Sequence, residues 1–211
     1  MEYRAFGNRI AVVYETLGVP INFEDALAIL KERGIRIIDK VNIVAIAKSL
    51  VGKAKWKLPS GTWEAPHYFD CSGFTRWLYG QSGIWIPRRP VQQYEFCKKL
   101  YGNIPLKNAL PADLLFVSSP YVNGRRVENQ EKIGHVCIVS GERQAICATN
   151  SEFGTGVVEI TFDELFKSRT LEAVGRVVEN LSLVHTFLTP PNREIDSSDD
   201  IKWIILQSLP K

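Results

Sequence analysis

The chain has no long hydrophobic run near its start, no closely paired cysteines and almost no excess of one charge. Each absence excludes something. The longest apolar run in the N-terminal region, Ile10 to Tyr14, is five residues, too short for the core of a secretory signal and far too short to span a membrane. That reads as cytoplasmic residence without a membrane span, with export by a signal-independent route as the alternative. The four cysteines, Cys71, Cys97, Cys137 and Cys147, form no C-x-x-C pair and no regular framework, so they read as reduced thiols rather than disulfide staples. A net charge of +3 demands no acidic partner. No lysine or arginine run alternates with exposed aromatics, so nucleic-acid binding receives no support.

What is present is a globular composition. With 211 residues, 45% of them hydrophobic and 23% charged, the chain suits one main domain with its own core. Residues 1–40 read as a helical N-terminal extension. Ile10, Val13, Tyr14 and Leu17 are spaced for one helix face, and Asn22 caps a second helix that carries Phe23, Leu27 and Leu30 and ends at Gly34. Residues 41–180 hold a third amphipathic helix (Asn42 to Val51), a helix from Cys71, another from Val91 to Leu100, and then short β-branched runs. These runs are Leu114–Val117, His135–Val139, Gln144–Thr149, Val157–Ile160 and Ala173–Val178. Strands following helices argue an α+β domain with an antiparallel sheet. Ser140 to Arg143 reads as a hairpin turn, Thr161 to Glu164 as a capping box, and Ser118 to Lys132 as a polar loop. In the tail, 181–211, the acidic stretch Asp196 to Asp200 reads as a solvated linker before an apolar end around Trp203 to Leu206.

The chain is organised around Tyr68-Phe69-Asp70-Cys71-Ser72-Gly73-Phe74. Asp70 is a good N-cap, and Phe74, Trp77 and Leu78 form one buried face, so Cys71 falls at a helix N-terminus. Unpaired N–H groups and the positive end of the helix dipole there favour a thiolate, which is the nucleophilic form. A small core residue is the plainer reading of the same cysteine. A cysteine nucleophile needs a base, and of His67, His135 and His185 the best placed is His135, which starts a strand after Gly134, 64 residues beyond Cys71.

Three ordered segments, Asp70-Cys71-Ser72-Gly73-Phe74, Pro111-Ala112-Asp113-Leu114-Leu115-Phe116 and Gly134-His135-Val136-Cys137-Ile138-Val139, resemble the motifs of the NlpC-type cell-wall peptidases, which are papain-like cysteine peptidases. The resemblance implies an α+β papain-like fold with the nucleophile at the N-terminus of a helix packed on an antiparallel sheet. It implies cleavage of peptidoglycan stem peptides, often between D-glutamate and a diamino acid, with no cofactor and no metal. By it Cys71 is the nucleophile, His135 the general base and acid, and Asp70 and Ser72 line the subsite for the amino end of the peptide. The family's third polar residue, about twelve positions after the histidine, falls on Cys147 by position, whereas Asn150 suits the role by chemistry. Trp56 or Tyr68 is the aromatic expected before the nucleophile, and Ala112 stands where a glycine is usual. Arg88 and Arg89 follow in a loop beside the cleft, where guanidinium groups suit acidic peptides. The alternative is a catalytically silent binding module on the same fold, recognising a peptide or partner protein. A zinc site from Cys71, Cys137, Cys147 and His135 is disfavoured, because the sequence shows no ligand-pair spacing.

Overall fold

A computed structural model describes every residue except Met1, Asp39, Asn123, Gly124, Arg193 and Lys211; for residues 120–132 it describes backbone alone. In chain order the elements are β1 (Arg9–Val13), α1 (Phe23–Glu32), β2 (Arg36–Ile38), α2 (Ile43–Leu50), β3 (Lys55–Trp56) and β4 (Tyr68–Phe69). Next come α3 (Cys71–Gln81), α4 (Pro90–Tyr101), β5 (Leu114–Val122), β6 (Arg125–Gly141) and β7 (Gln144–Ser151). The last are β8 (Gly154–Thr161), α5 (Phe162–Ser168), β9 (Leu171–Gly175), β10 (Val184–Leu188) and α6 (Ser198–Gln207). They fall into two compact units, one of Met1–Asn42, Tyr79–Trp85 and Asn180–Lys211, the other of Ile43–Leu78 and Ile86–Glu179.

In the first unit a three-stranded antiparallel sheet has the order β1-β10-β2. The Ile10 to Tyr14 run, expected as a helix, is a strand up to Val13, and only Tyr14–Thr16 turn helically. Its β-branched residues pair with β10, Ile10 opposite Phe187, and Ile10, Ala11 and Val12 are buried. A short apolar run has no periodicity that separates helix from buried strand, so a partner far along the chain decides. The second expected helix is α1, where Asn22 Oδ1 accepts a hydrogen bond from Asp25 N at 2.9 Å. The acidic tail is not a linker. Ser197 caps α6, its Oγ accepting from Asp199 N, while Asp200 accepts from Ser197 N at 2.9 Å, so the acids sit at the positive end of a helix that packs on α1.

The second unit is built on a five-stranded antiparallel sheet of order β8-β7-β6-β5-β9, with β3 and β4 as a short parallel pair. Four of the expected strand runs lie on it and the fifth, Ala173–Val178, does so only to Gly175, where β9 ends; the hairpin turns at Glu142-Arg143, and Thr161 opens α5 with a capping box to Glu164. The segment Ser118 to Lys132, expected as a loop, instead extends β5 and β6 into a long hairpin with register shifts. Only Asn123 and Gly124 within it lie outside the described residues. Both faces of the sheet are buried. Leu115, Val117, Cys137, Val139, Ala145 and Cys147 lie with Phe162 and Leu165 of the α5 layer. On the other face α2 and α4 pack on β6, with Tyr94 edge-on to Phe116 at 5.7 Å. Each fully buried apolar side chain contributes roughly 1.5–3 kcal/mol, which makes this two-faced sheet the rigid part of the unit. At its edge Asp113 is buried, held by Arg176 Nε (2.9 Å) and Nη2 (2.7 Å) and by Leu110 N. Ala112 beside it has φ of 78°, the left-handed region that explains why glycine would suit this position.

Candidate active site

The cysteine helix begins where a carboxylate stops the preceding strand. Asp70 Oδ1 accepts from Gly73 N at 2.8 Å and so caps α3, leaving Cys71 and Ser72 in the first turn. The other carboxylate oxygen accepts from Ser60 N (2.9 Å) and Ser60 Oγ (3.1 Å), and the Ser60 hydroxyl in turn accepts from Asp70 N. Arg88 closes the arrangement: both of its terminal nitrogens reach the Asp70 carboxylate, Nη1 also donates to Ser72 Oγ at 3.1 Å and Nη2 to Ser60 O at 3.0 Å. Asp70 is 2% exposed. Burial alone pushes its pKa up, but the Arg88 guanidinium and the N–H groups of Ser60 and Gly73 outweigh burial and hold it below the usual carboxylate range. Behind Cys71, Phe74 and Leu78 are fully buried and Phe69 packs edge-on to Phe74 at 5.2 Å, so the helix start is fixed from both sides.

A cleft of about 620 Å³ opens in front of it, lined by Asp70, Cys71 and Ser72 from α3, by His135 from β6, and by Asn150 from β7. Trp56 and Leu58 form another wall, and the guanidinium-bearing residues Arg88, Arg89 and Arg169 also line it. Its size is that of a small-molecule or peptide site. His135 lies opposite the β5 residue Val117 and directly after Gly134, where any Cβ would stand 2.5 Å from Ser119 Cβ. Close approach of two strands therefore requires glycine there, and the histidine, expected to start a strand, lies inside β6, which begins at Arg125.

Alternation along β6 puts His135 and Cys137 on one face. The Ile138–Ile146 pairing, carried one step further, sets Cys137 opposite Cys147. One ring nitrogen of His135 and the sulfurs of Cys137 and Cys147 all lie within 4.8 Å of one another. Burial disfavours the charged imidazole, but the negative charge available at Cys71 and Cys147 outweighs it and holds the His135 pKa up at about 10. Cys147 is shifted the other way. Hydrogen bonding from the Cys137 thiol is the largest cause, and the His135 charge adds to it against burial; Cys137, as the donor, is raised. A neutral thiol is a poor acceptor, but a thiolate serves as counter-ion to an imidazolium. His135 Nε2 is buried and has no hydrogen-bond partner among the described residues, while Cys147 acts on the ring through its charge and through a side-chain hydrogen bond.

The remaining expected residues divide. Asn150 lines the cleft, yet its Oδ1 is occupied by Thr155 Oγ1 at 2.8 Å, and alternation sends it to the strand face opposite Cys147. Tyr68 pairs with Lys55 in the β3–β4 ladder, is 37% exposed, and lies outside the cleft lining, which Trp56 joins. Arg88 is engaged by Asp70, whereas Arg89 is exposed at the rim. Sequence reasoning missed Ser60 and Arg169. Ser60 carries no signal ten residues before the cap it supports, and Arg169 reaches the cleft only because α5 ends where the β5 backbone passes, its Nη1 3.5 Å from Ser118 O.

A helix-borne cysteine facing a histidine on an antiparallel sheet defines a papain-like α+β domain. The sequence model of the NlpC/P60 family matches residues 57–174, more than half of the chain, and the chain belongs to that family. It is 36% identical over 109 residues to "Probable endopeptidase p60" of Listeria seeligeri, a match covering 52% of this chain and 17% of that protein. The corresponding protein of Listeria monocytogenes is 33% identical over 109 residues, 52% of this chain and 19% of its own length. The chain thus spans about a fifth of the length of these relatives. Among solved structures, NlpC2 from Trichomonas vaginalis shares the fold at a TM-score of 0.50 and 22% identity, over 64% of this chain and 44% of that one.

Proposed function

We propose that the protein is a cysteine hydrolase of peptidoglycan stem peptides, acting on the D-γ-glutamyl–diamino acid bond. The observation that carries the reading is the convergence of Cys71, at a capped helix start, and His135, within the long strand β6, on one cleft of peptide size. In this reaction Cys71, as a thiolate paired with the His135 imidazolium, attacks the scissile carbonyl carbon. Backbone N–H groups at the start of α3 hold the oxyanion. The tetrahedral adduct then expels the amine, which receives the proton from the imidazolium, and a thioester remains on Cys71. Water, deprotonated by His135, releases the acid and restores the thiolate–imidazolium pair. Cys147 positions the ring as its counter-ion. Asp70 and Ser72 face the amino end of the peptide, while Arg89, exposed at the rim, supplies a cation for its carboxylates.

The test is incubation of the protein with L-Ala-γ-D-Glu-diaminopimelate peptides, with fragments identified by mass spectrometry. Cleavage at the glutamyl bond that disappears in Cys71→Ala supports the reading. Cleavage that persists in the variant, or no cleavage by either protein, refutes it.

A further inference from the structure

Sequence spacing argues against a metal site, because no two potential ligands stand two to four residues apart on a turn. The sheet supplies the proximity instead. Cys137 follows His135 by two residues on β6, and strand register brings Cys147 of β7 against both, so that the three ligand atoms lie within 4.8 Å of one another. In a tetrahedral zinc site the ligand atoms stand about 3.6 Å apart, given Zn–S of about 2.3 Å and Zn–N of about 2.0 Å. Side-chain rotation of about 1 Å closes the difference, because all three project from the same face of one hairpin. Cys137 and Cys147 are fully buried and unoxidised, and His135 Nε2 is a buried nitrogen with no hydrogen-bond partner among the described residues. A buried ring nitrogen left without a partner, on a ring set against two sulfurs, leaves polar capacity that a bound ion could satisfy. His135 also lines the cleft, so the ring is the member of the cluster that meets the open side.

We infer that His135, Cys137 and Cys147 form a binding site for a soft divalent cation of the zinc class. Binding displaces one proton from the Cys137 thiol and one from the His135 imidazolium, both passing to solvent, as two metal–sulfur bonds and one metal–nitrogen bond form. The occupied site ties up the imidazole that Cys71 needs, so metal binding and cleavage exclude one another. That consequence rests on the reading of Cys71 and His135 as the reacting pair; the site itself does not.

Chelator-treated, fully reduced protein titrated anaerobically with Co²⁺ tests the site without any substrate. The expected result is a thiolate-to-cobalt charge-transfer band that saturates at one equivalent and is abolished by one equivalent of Zn²⁺. Cys137→Ala and Cys147→Ala should each weaken Zn²⁺ binding by at least about tenfold, while Cys97→Ala, a buried thiol elsewhere, should not. Absence of the band in the wild-type protein overturns the site, as does Zn²⁺ affinity in Cys137→Ala within about threefold of wild type. If cleavage is observed, its persistence with Zn²⁺ bound overturns the inhibitory consequence alone. A protein that cleaves nothing still gives or withholds the cobalt band, so the two readings fail separately.

Discussion

Replacing Arg88 by alanine tests the architecture of the cysteine helix directly. The substitution removes both guanidinium contacts to Asp70, the bond to Ser72 Oγ and the bond to Ser60 O. Hydrogen bonds to charged groups are worth about 1.5–3 kcal/mol each, and stranding one half of a fully buried pair costs about 3–5 kcal/mol. Two features reduce that figure. The Arg88 side chain is 33% exposed and therefore partly screened, and Asp70 keeps its bonds from Ser60 and Gly73. A loss of about 2 kcal/mol follows, which for a urea dependence of about 2 kcal/mol per molar moves the midpoint down by about 1 M. The five tryptophans report the transition by fluorescence. The pH dependence has a definite sign. Asp70 is depressed in the folded protein, so its stabilisation is complete above the unfolded aspartate pKa of about 3.9 and is lost as pH falls through the folded value. The gap between wild type and Arg88→Ala should therefore be full at neutral pH and narrow in acid. A midpoint difference below about 0.3 M at neutral pH, or one of unchanged size at about pH 3, would refute the reasoning.

Cys71→Ala should lower kcat/KM on the stem peptide by at least about a thousandfold, with the urea midpoint unchanged; a residual rate above that level removes Cys71 from the chemistry. Cys147→Ala takes away the counter-ion of His135 and should lower kcat about tenfold with KM unaltered, so steady-state kinetics showing a KM effect alone would assign Cys147 to packing. Gly134→Ala forces a Cβ to within 2.5 Å of Ser119 Cβ, and thermal unfolding should show a loss of about 1–3 kcal/mol, together with reduced kcat as His135 shifts. Wild-type stability and rate in that variant would mean that the strands separate freely.

The local order of the chain was legible from its residues. Asp70 capping α3, Asn22 capping α1 and the Thr161–Glu164 box each depend on neighbours within four positions, so the side chains that specify the structure are adjacent in sequence. The same holds for the strands at His135–Val139 and Gln144–Thr149, whose alternation and bounding turn are local. The family followed from three such segments in order. Tertiary structure decided what depends on distant partners. Ile10 to Val13 became a strand only because β10, some 170 residues on, offers a ladder, and the acidic tail became a helix start because α1 gives α6 a face to cover. The fate of Arg88, drawn to Asp70 and so committed internally, depends on a loop approaching a cap from outside. The cluster of His135, Cys137 and Cys147 shows the division most clearly: period-2 alternation puts the first two on one face, while the third arrives through strand register, fixed by burial of both sheet faces and by no spacing along the chain.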